Sequence, residues 1–190
     1  PNVLIIRDDN HNGENADDPQ HISDWLQSTG TLVDIIEEPQ DGIDPSALLG
    51  YHVVIFSNPG YPPDDTATID ALRSFSIQGY GLIFQGDDMT ALPYPPLQEL
   101  TRLSFVDNGG VYYGVTVDND QGDAYAVTMA PASVLSAGIA NESFPYGNDI
   151  DTATPTTSDL SVAAWCTIEG SDFPEKPVIT AFAPQQSSLE

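Results

Sequence analysis

Positive charge is almost missing from this sequence. Across 190 residues there are 4 Lys plus Arg against 29 Asp plus Glu, a formal net charge of −25. Nucleic acids and anionic membrane surfaces are held by Lys and Arg that replace their counter-ions, so both are excluded as partners. A phosphate-bearing substrate would need a metal to mediate it. Cysteine is equally scarce. Cys166 stands alone, so no disulfide closes within the chain. It sits in the apolar run SVAAWCTIEG, where a buried, inert thiol is expected, because a reactive thiol needs an electropositive setting. The three histidines, His11, His21 and His52, show no H-x-x-x-H or H-E-x-x-H spacing, which leaves zinc-hydrolase chemistry without support. Long apolar runs are missing too, so no transmembrane helix and no membrane insertion are expected.

What is present is a globular composition, with 40% hydrophobic residues. A chain of this length buries roughly 70% of its unfolded surface as one domain. The start at Pro1 without Met and the closing SSLE read as a folded domain over residues 1–186 of a longer or processed protein, with 187–190 as a linker and cloning scar. The acids comprise 21 Asp and 8 Glu. Self-repulsion on that scale destabilises a compact state unless counter-ions screen it. High external salt, bound divalent cations, or secretion with selection for solubility each fit. An extracellular or periplasmic location is expected.

The first half alternates two periodicities. VLII (3–6), LVDII (32–36), VVIF (53–56) and GLIF (81–84) read as strands rich in branched residues. HISDWLQS (21–28) places Ile22, Trp25 and Leu26 at helical spacing, with Gly30 as a stop. Asp44 introduces PSALLG, a short helical turn with Pro45 in first position. TATIDALRSFSIQG (66–79) and PPLQELTRL (95–103) read as helices. Strands separated by helices form right-handed crossovers and a parallel sheet covered on both faces. The expected fold is therefore α/β: a flavodoxin-like three-layer α/β/α sandwich with a mostly parallel sheet and additional strands in the second half. There VYYGVTV (111–117), AYAVTM (124–129), SVAAWCTI (161–168) and KPVITAFA (176–183) read as strands, 134–140 as a short helix and 143–159 as a loop. DNDQGD (118–123) has Gly122 one place early for a Ca²⁺ loop and Met129 where the bidentate Glu belongs, so a hairpin turn is expected.

In open α/β sheets ligands bind beyond the carboxyl ends of the strands. Strand one ends in Arg7, Asp8, Asp9, Asn10 and His11. Strand three ends in Ser57 and Asn58, and strand four in Gly86, Asp87 and Asp88. Carboxylate and carbonyl oxygens suit hard cations such as Ca²⁺ or Mg²⁺. Asp8, Asp9, Asp87 and Asp88 are the candidate metal ligands, and Asn10, His11, Ser57, Asn58 and Gly86 the candidate ligand-binding residues. Aspartates in such loops also serve simply as helix caps, and that reading stays open. No organic cofactor is expected.

LLGYHVVIFSNPG, the helix after it, and FSIQGYGLIFQGDD resemble the class I glutamine amidotransferase-like superfamily, most closely its trehalose-utilisation-protein-like branch. VLSAGIANESFPYGNDID resembles a later stretch of the same branch. The resemblance implies the flavodoxin-like fold and a carbohydrate-related partner. It places the family's catalytic Cys near Asp87, where this chain reads GDD, and no His follows His52 to serve as its partner. A glutaminase needs a thiolate activated by a base, so the fold carries over and the activity does not. Asp8, Asp9, Ser57, Asp87 and Asp88 also resemble the motif order of haloacid-dehalogenase-type phosphatases. In that reading the cluster is a metal-dependent hydrolase, and Arg73 has to replace the family's phosphate-binding Lys.

The charge alone generates one expectation. The melting temperature should rise as NaCl is added toward molar levels, because screening relieves carboxylate repulsion. A melting temperature that stays flat over that range would show that the charge is not limiting for the fold.

Overall fold

The computed structural model describes residues 1–7, 18–39, 41–58, 66–86, 95–104, 125–129, 143–146, 154–168 and 176–181. Two compact units make up the chain: Pro1–Leu100 with Pro184–Glu190, and Thr101–Ala183.

The first unit is a parallel sheet of β1 (Asn2–Arg7), β2 (Leu32–Glu37), β3 (Val53–Asn58) and β4 (Gly81–Gly86), in the order β2-β1-β3-β4. This is the flavodoxin-like order, in which the chain winds outward from β1 to β2 and then from β3 to β4. The two crossovers run in opposite directions, so right-handedness puts their helices on opposite faces. α1 (Asp18–Ser28) covers one face, where its Ile22 and Leu26, together with Val33, Ile35 and Val53 of the sheet, pack against Val3, Ile5 and Ile55. The 3-10 helix Pro45–Leu48 and α2 (Thr66–Ile77) serve the other face. Both faces of β1 are consequently dry, and Val3, Leu4, Ile5 and Ile6 are all buried.

Local chemistry fixes the joints. α1 starts at Asp18, one turn before the helical spacing begins to show, with Pro19 in its first turn and buried. It ends in a Schellman motif: Thr31 N–H reaches the Leu26 carbonyl and Gly30 N–H the Gln27 carbonyl, with Gly30 at φ +85°. Asp44 caps the 3-10 helix by accepting from Ser46 N–H at 2.8 Å. That bond holds the Asp44 carboxyl below its ordinary value. Thr68 ties α2 to the loop after β2, donating to Glu38 at 2.9 Å and accepting from Ile43 N–H at 3.2 Å. α3 (Pro95–Thr101) buries Leu97 and Leu100 and closes on Arg102, whose φ of +61° is unusual for a residue with a Cβ.

The second unit is antiparallel. β6 (Tyr125–Met129), β7 (Ser143–Tyr146), β9 (Ser161–Ile168) and β10 (Lys176–Ala181) form a sheet in the order β10-β9-β6-β7, and β5 (Leu103–Ser104) pairs with β8 (Thr154–Pro155). Arg102 forms an ion pair with Asp159 and accepts from Thr156 N–H through its carbonyl. Residues 143–159, expected as a loop, contain β7 and β8 instead. The proline signal misled because Pro145 and Pro155 sit on strands with a single partner, where no second ladder demands the missing N–H. Pro177 on β10 obeys the same rule. The expected strand 111–117 and helix 134–140 lie outside the described residues.

Each unit holds one tryptophan, Trp25 and Trp165, so unfolding of each can be followed separately. Phe56 is fully buried in β3. In a Trp165→Phe background, Phe56→Ala should cost about 3–5 kcal/mol in urea unfolding read at Trp25. Ile83→Ala, at a side chain 48% exposed on β4, should cost far less. Equal losses at the two positions would contradict this packing.

Candidate functional site

In-register parallel pairing lines residues up in rows across the sheet. On the α1 face the first row is Val33, Val3, Val53 and Gly81, and the second is Ile35, Ile5, Ile55 and Ile83. The third row, at the carboxyl edge, is Glu37, Arg7, Ser57 and Gln85. Two apolar rows thus give way to a polar one in a single step of the pleat. On the opposite face Ile36, Ile6, Phe56 and Phe84 form the last apolar row, with Asn58 opposite Gly86 beyond it. The Phe56 and Phe84 rings lie 6.1 Å apart.

The polar row spans the switch point between β1 and β3, where this strand order opens a crevice. Arg7 forms an ion pair with Glu37, on its β2 side, and both side chains are part exposed. The Arg7 carbonyl accepts from Glu38 N–H at 2.7 Å, holding the end of β2 against β1. Ser57 is buried. Ser57, Asn58 and Gly86 stand at the strand ends expected for them. Asp8, Asp9, Asn10, His11, Asp87 and Asp88 lie outside the described residues. Among the described residues no group of three or more His, Cys, Asp or Glu could hold a metal ion. Glu37 and Glu38 went unrecognised in the sequence, although the strand-end rule applied to LVDII would have found them.

The other arginines are also engaged. Arg73 lies inside α2 and pairs with Asp70 at 2.8 Å and Glu99 at 3.8 Å. Each arginine therefore has a carboxylate partner from its own chain. Cys166 stands in β9 between β10 and β6, opposite Lys176 and Val127.

The amino edge is tied down by structural bonds. Asn2 N–H donates to His52 Nδ1 at 3.2 Å, its side chain donates to the Gly50 carbonyl, and Tyr51 donates to Asp34 at 2.8 Å. A shallow groove between the 3-10 helix and α2 is lined by Leu48, Phe75 and Tyr80 among others, with no charged side chain. The carboxyl edge is the better-equipped end.

Among solved structures the chain is similar to a thua-like protein from Bacteroides uniformis, with a TM-score of 0.61 at 16% identity over 95% of this chain and 76% of that one. A thua-like protein from Parabacteroides merdae aligns at a TM-score of 0.49 and 14% identity, over 87% of this chain and 67% of that one, and adds no weight. No protein-family model matches the sequence. No curated protein matches it either. At this identity the first likeness shows the fold alone: an α/β domain of flavodoxin-like type shared with a thua-like protein.

The amino-edge bond carries a pH signature. Tyr51 donates to the Asp34 carboxylate, and burial and the nearby negative charge add to the effect, so its pKa lies above the ordinary tyrosine value. A raised folded pKa means the stabilisation is complete below the unfolded value and is lost as pH rises through the folded one. A phenolate difference titration of wild type against Tyr51→Phe should show ionisation above pH ~10. Asp34→Ala should return it to the ordinary range. A Tyr51 that titrates normally in the wild type would break the assignment.

Proposed function

We propose that this chain is a non-catalytic, amidotransferase-like binding domain of a longer acidic protein acting outside the cytoplasm. It holds a divalent cation, Ca²⁺ or Mg²⁺, at the carboxyl edge of its parallel sheet. The observation that carries the reading is the polar row Glu37, Arg7, Ser57 and Gln85 closing two apolar rows at the switch point. In sequence, β1 runs directly into Asp8 and Asp9, and β4 into Asp87 and Asp88. Oxygen donors following two strands that flank β3 on either side suit a hard cation. A net charge of −25 favours cation uptake over any anionic ligand.

Glutaminase chemistry has no support in the sequence. GDDMT offers no thiol directly after β4 in sequence, and no histidine follows His52. A phosphatase-like reading would need a free cation for the phosphate. Arg73, the residue that reading requires, is held inside α2 by Asp70 and Glu99.

Calorimetric titration of the chelator-treated chain with Ca²⁺ and with Mg²⁺ tests the reading. The wild type should take up one of them, and Asp87→Ala with Asp88→Ala should abolish uptake. No uptake by the wild type would sink the proposal. Metal-dependent turnover of a generic phosphatase or esterase substrate would replace the binding domain with a hydrolase using Asp8, Asp9, Asp87 and Asp88. Metal-linked stability without turnover supports the binding domain.

A further inference from the structure

Five polar residues are buried among the described residues: Ser23, Ser57, Thr68, Ser76 and Thr101. A hydroxyl taken out of water without a partner is costly, so buried hydroxyls are normally bonded. Four of the five obey. Ser23 Oγ accepts from the Gln27 amide at 3.1 Å. Thr68 is bonded on both sides, to Glu38 and to Ile43 N–H. Ser76 donates to the Arg73 carbonyl at 3.0 Å, and Thr101 is engaged as well. Ser57 is the exception. It is 1% exposed, and its hydroxyl has no hydrogen-bond partner among the described residues.

The position of this hydroxyl is informative. Ser57 stands in the polar row at the β1–β3 switch point, next to Arg7 on β1. Arg7 is its nearest described charge in the row, and it is tied off by Glu37 on the far side, toward β2. The rows behind Ser57 are apolar. Nothing in those rows can satisfy the oxygen, so a partner has to come from the carboxyl side. A serine hydroxyl in such a position is a competent neutral ligand for a hard cation, as the phosphate-loop hydroxyl is for Mg²⁺.

We propose that Ser57 Oγ, which has no hydrogen-bond partner among the described residues, is a neutral oxygen ligand of the divalent cation at the carboxyl edge. The assignment rests on the cation reading given above. It identifies a residue that the carboxylates alone would not, and it assigns the site to β3 as well as to the ends of β1 and β4. Ser57 is held at a cost to the ligand-free fold, and the ion offsets that cost on binding.

The chelator-treated full chain, as wild type, Ser57→Ala and Ser57→Thr, is titrated with Ca²⁺ and Mg²⁺, and each ligand-free melting temperature is recorded. Ser57→Ala should lose about tenfold or more in cation affinity, within the range seen when a group supporting a metal is removed. Ser57→Thr keeps the hydroxyl and should keep most of the affinity. Without metal, Ser57→Ala should melt about 2–4 °C above the wild type, since an unsatisfied buried hydroxyl has been removed. Wild-type uptake with unchanged affinity in Ser57→Ala overturns the assignment and leaves the cation reading standing. No uptake by the wild type overturns both. A ligand-free Ser57→Ala that melts lower than the wild type shows a hydroxyl partnered within the fold and overturns the assignment.

Discussion

The parallel register of β1 with β2 and β3 is the constraint on which the first unit depends. Side chains alternate faces along a strand, so one residue of slip would exchange the two faces of that strand. Shifting β3 by one place would move Ser57 off the face it shares with Arg7 and bring Phe56 under α1 in place of Ile55. The register is well specified because both faces of the central strands are buried, and every inward position must fit a filled space. The same register that packs the core therefore collects Glu37, Arg7 and Ser57 at one edge. Core and candidate site follow from a single geometric condition.

Electrostatics impose a second condition. With so few cations, each arginine serves an acid of its own chain: Arg7 with Glu37, Arg73 with Asp70 and Glu99, Arg102 with Asp159. Surface pairs of this kind contribute little individually, with a median of about 0–1 kcal/mol. Their consequence is chiefly one of selection. They leave anionic ligands no open guanidinium at the described strand ends, while the remaining carboxylates keep a field that attracts cations. Arg102 adds a local role, since its ion pair and its carbonyl bond with Thr156 hold a backbone angle that glycine would normally take.

The sequence made the first unit legible because its strands are short branched runs and its helices carry clear stops. VLII, LVDII, VVIF and GLIF became β1 to β4, and Gly30 became the left-handed cap that its position suggested. The second unit was harder to read. An antiparallel sheet depends on pairing between distant segments, and its edge strands tolerate proline, so Pro145 and Pro155 signalled loop where strand forms. The site was legible as strand ends and less so as partners. Arg7 and Ser57 were visible as the ends of their strands. That Glu37 closes the row required the strand order, because β2 becomes a neighbour of β1 only once the sheet is assembled.

This separation bears on what a fold likeness carries. The residues that specify the sheet are the apolar rows, and many combinations of Val, Ile, Leu and Phe fill them equally well. The residues that would perform chemistry lie one step further along each strand, where packing imposes little. A chain can therefore share a fold at 16% identity while the residues beyond its strand ends are free to differ. Ser57 falls on the boundary between the two regimes. It is buried like a core residue and polar like an edge residue, and packing alone would have favoured a third apolar row. A buried hydroxyl with no partner among the described residues is a cost to the fold, and its place at the switch point is the reason a ligand is proposed there.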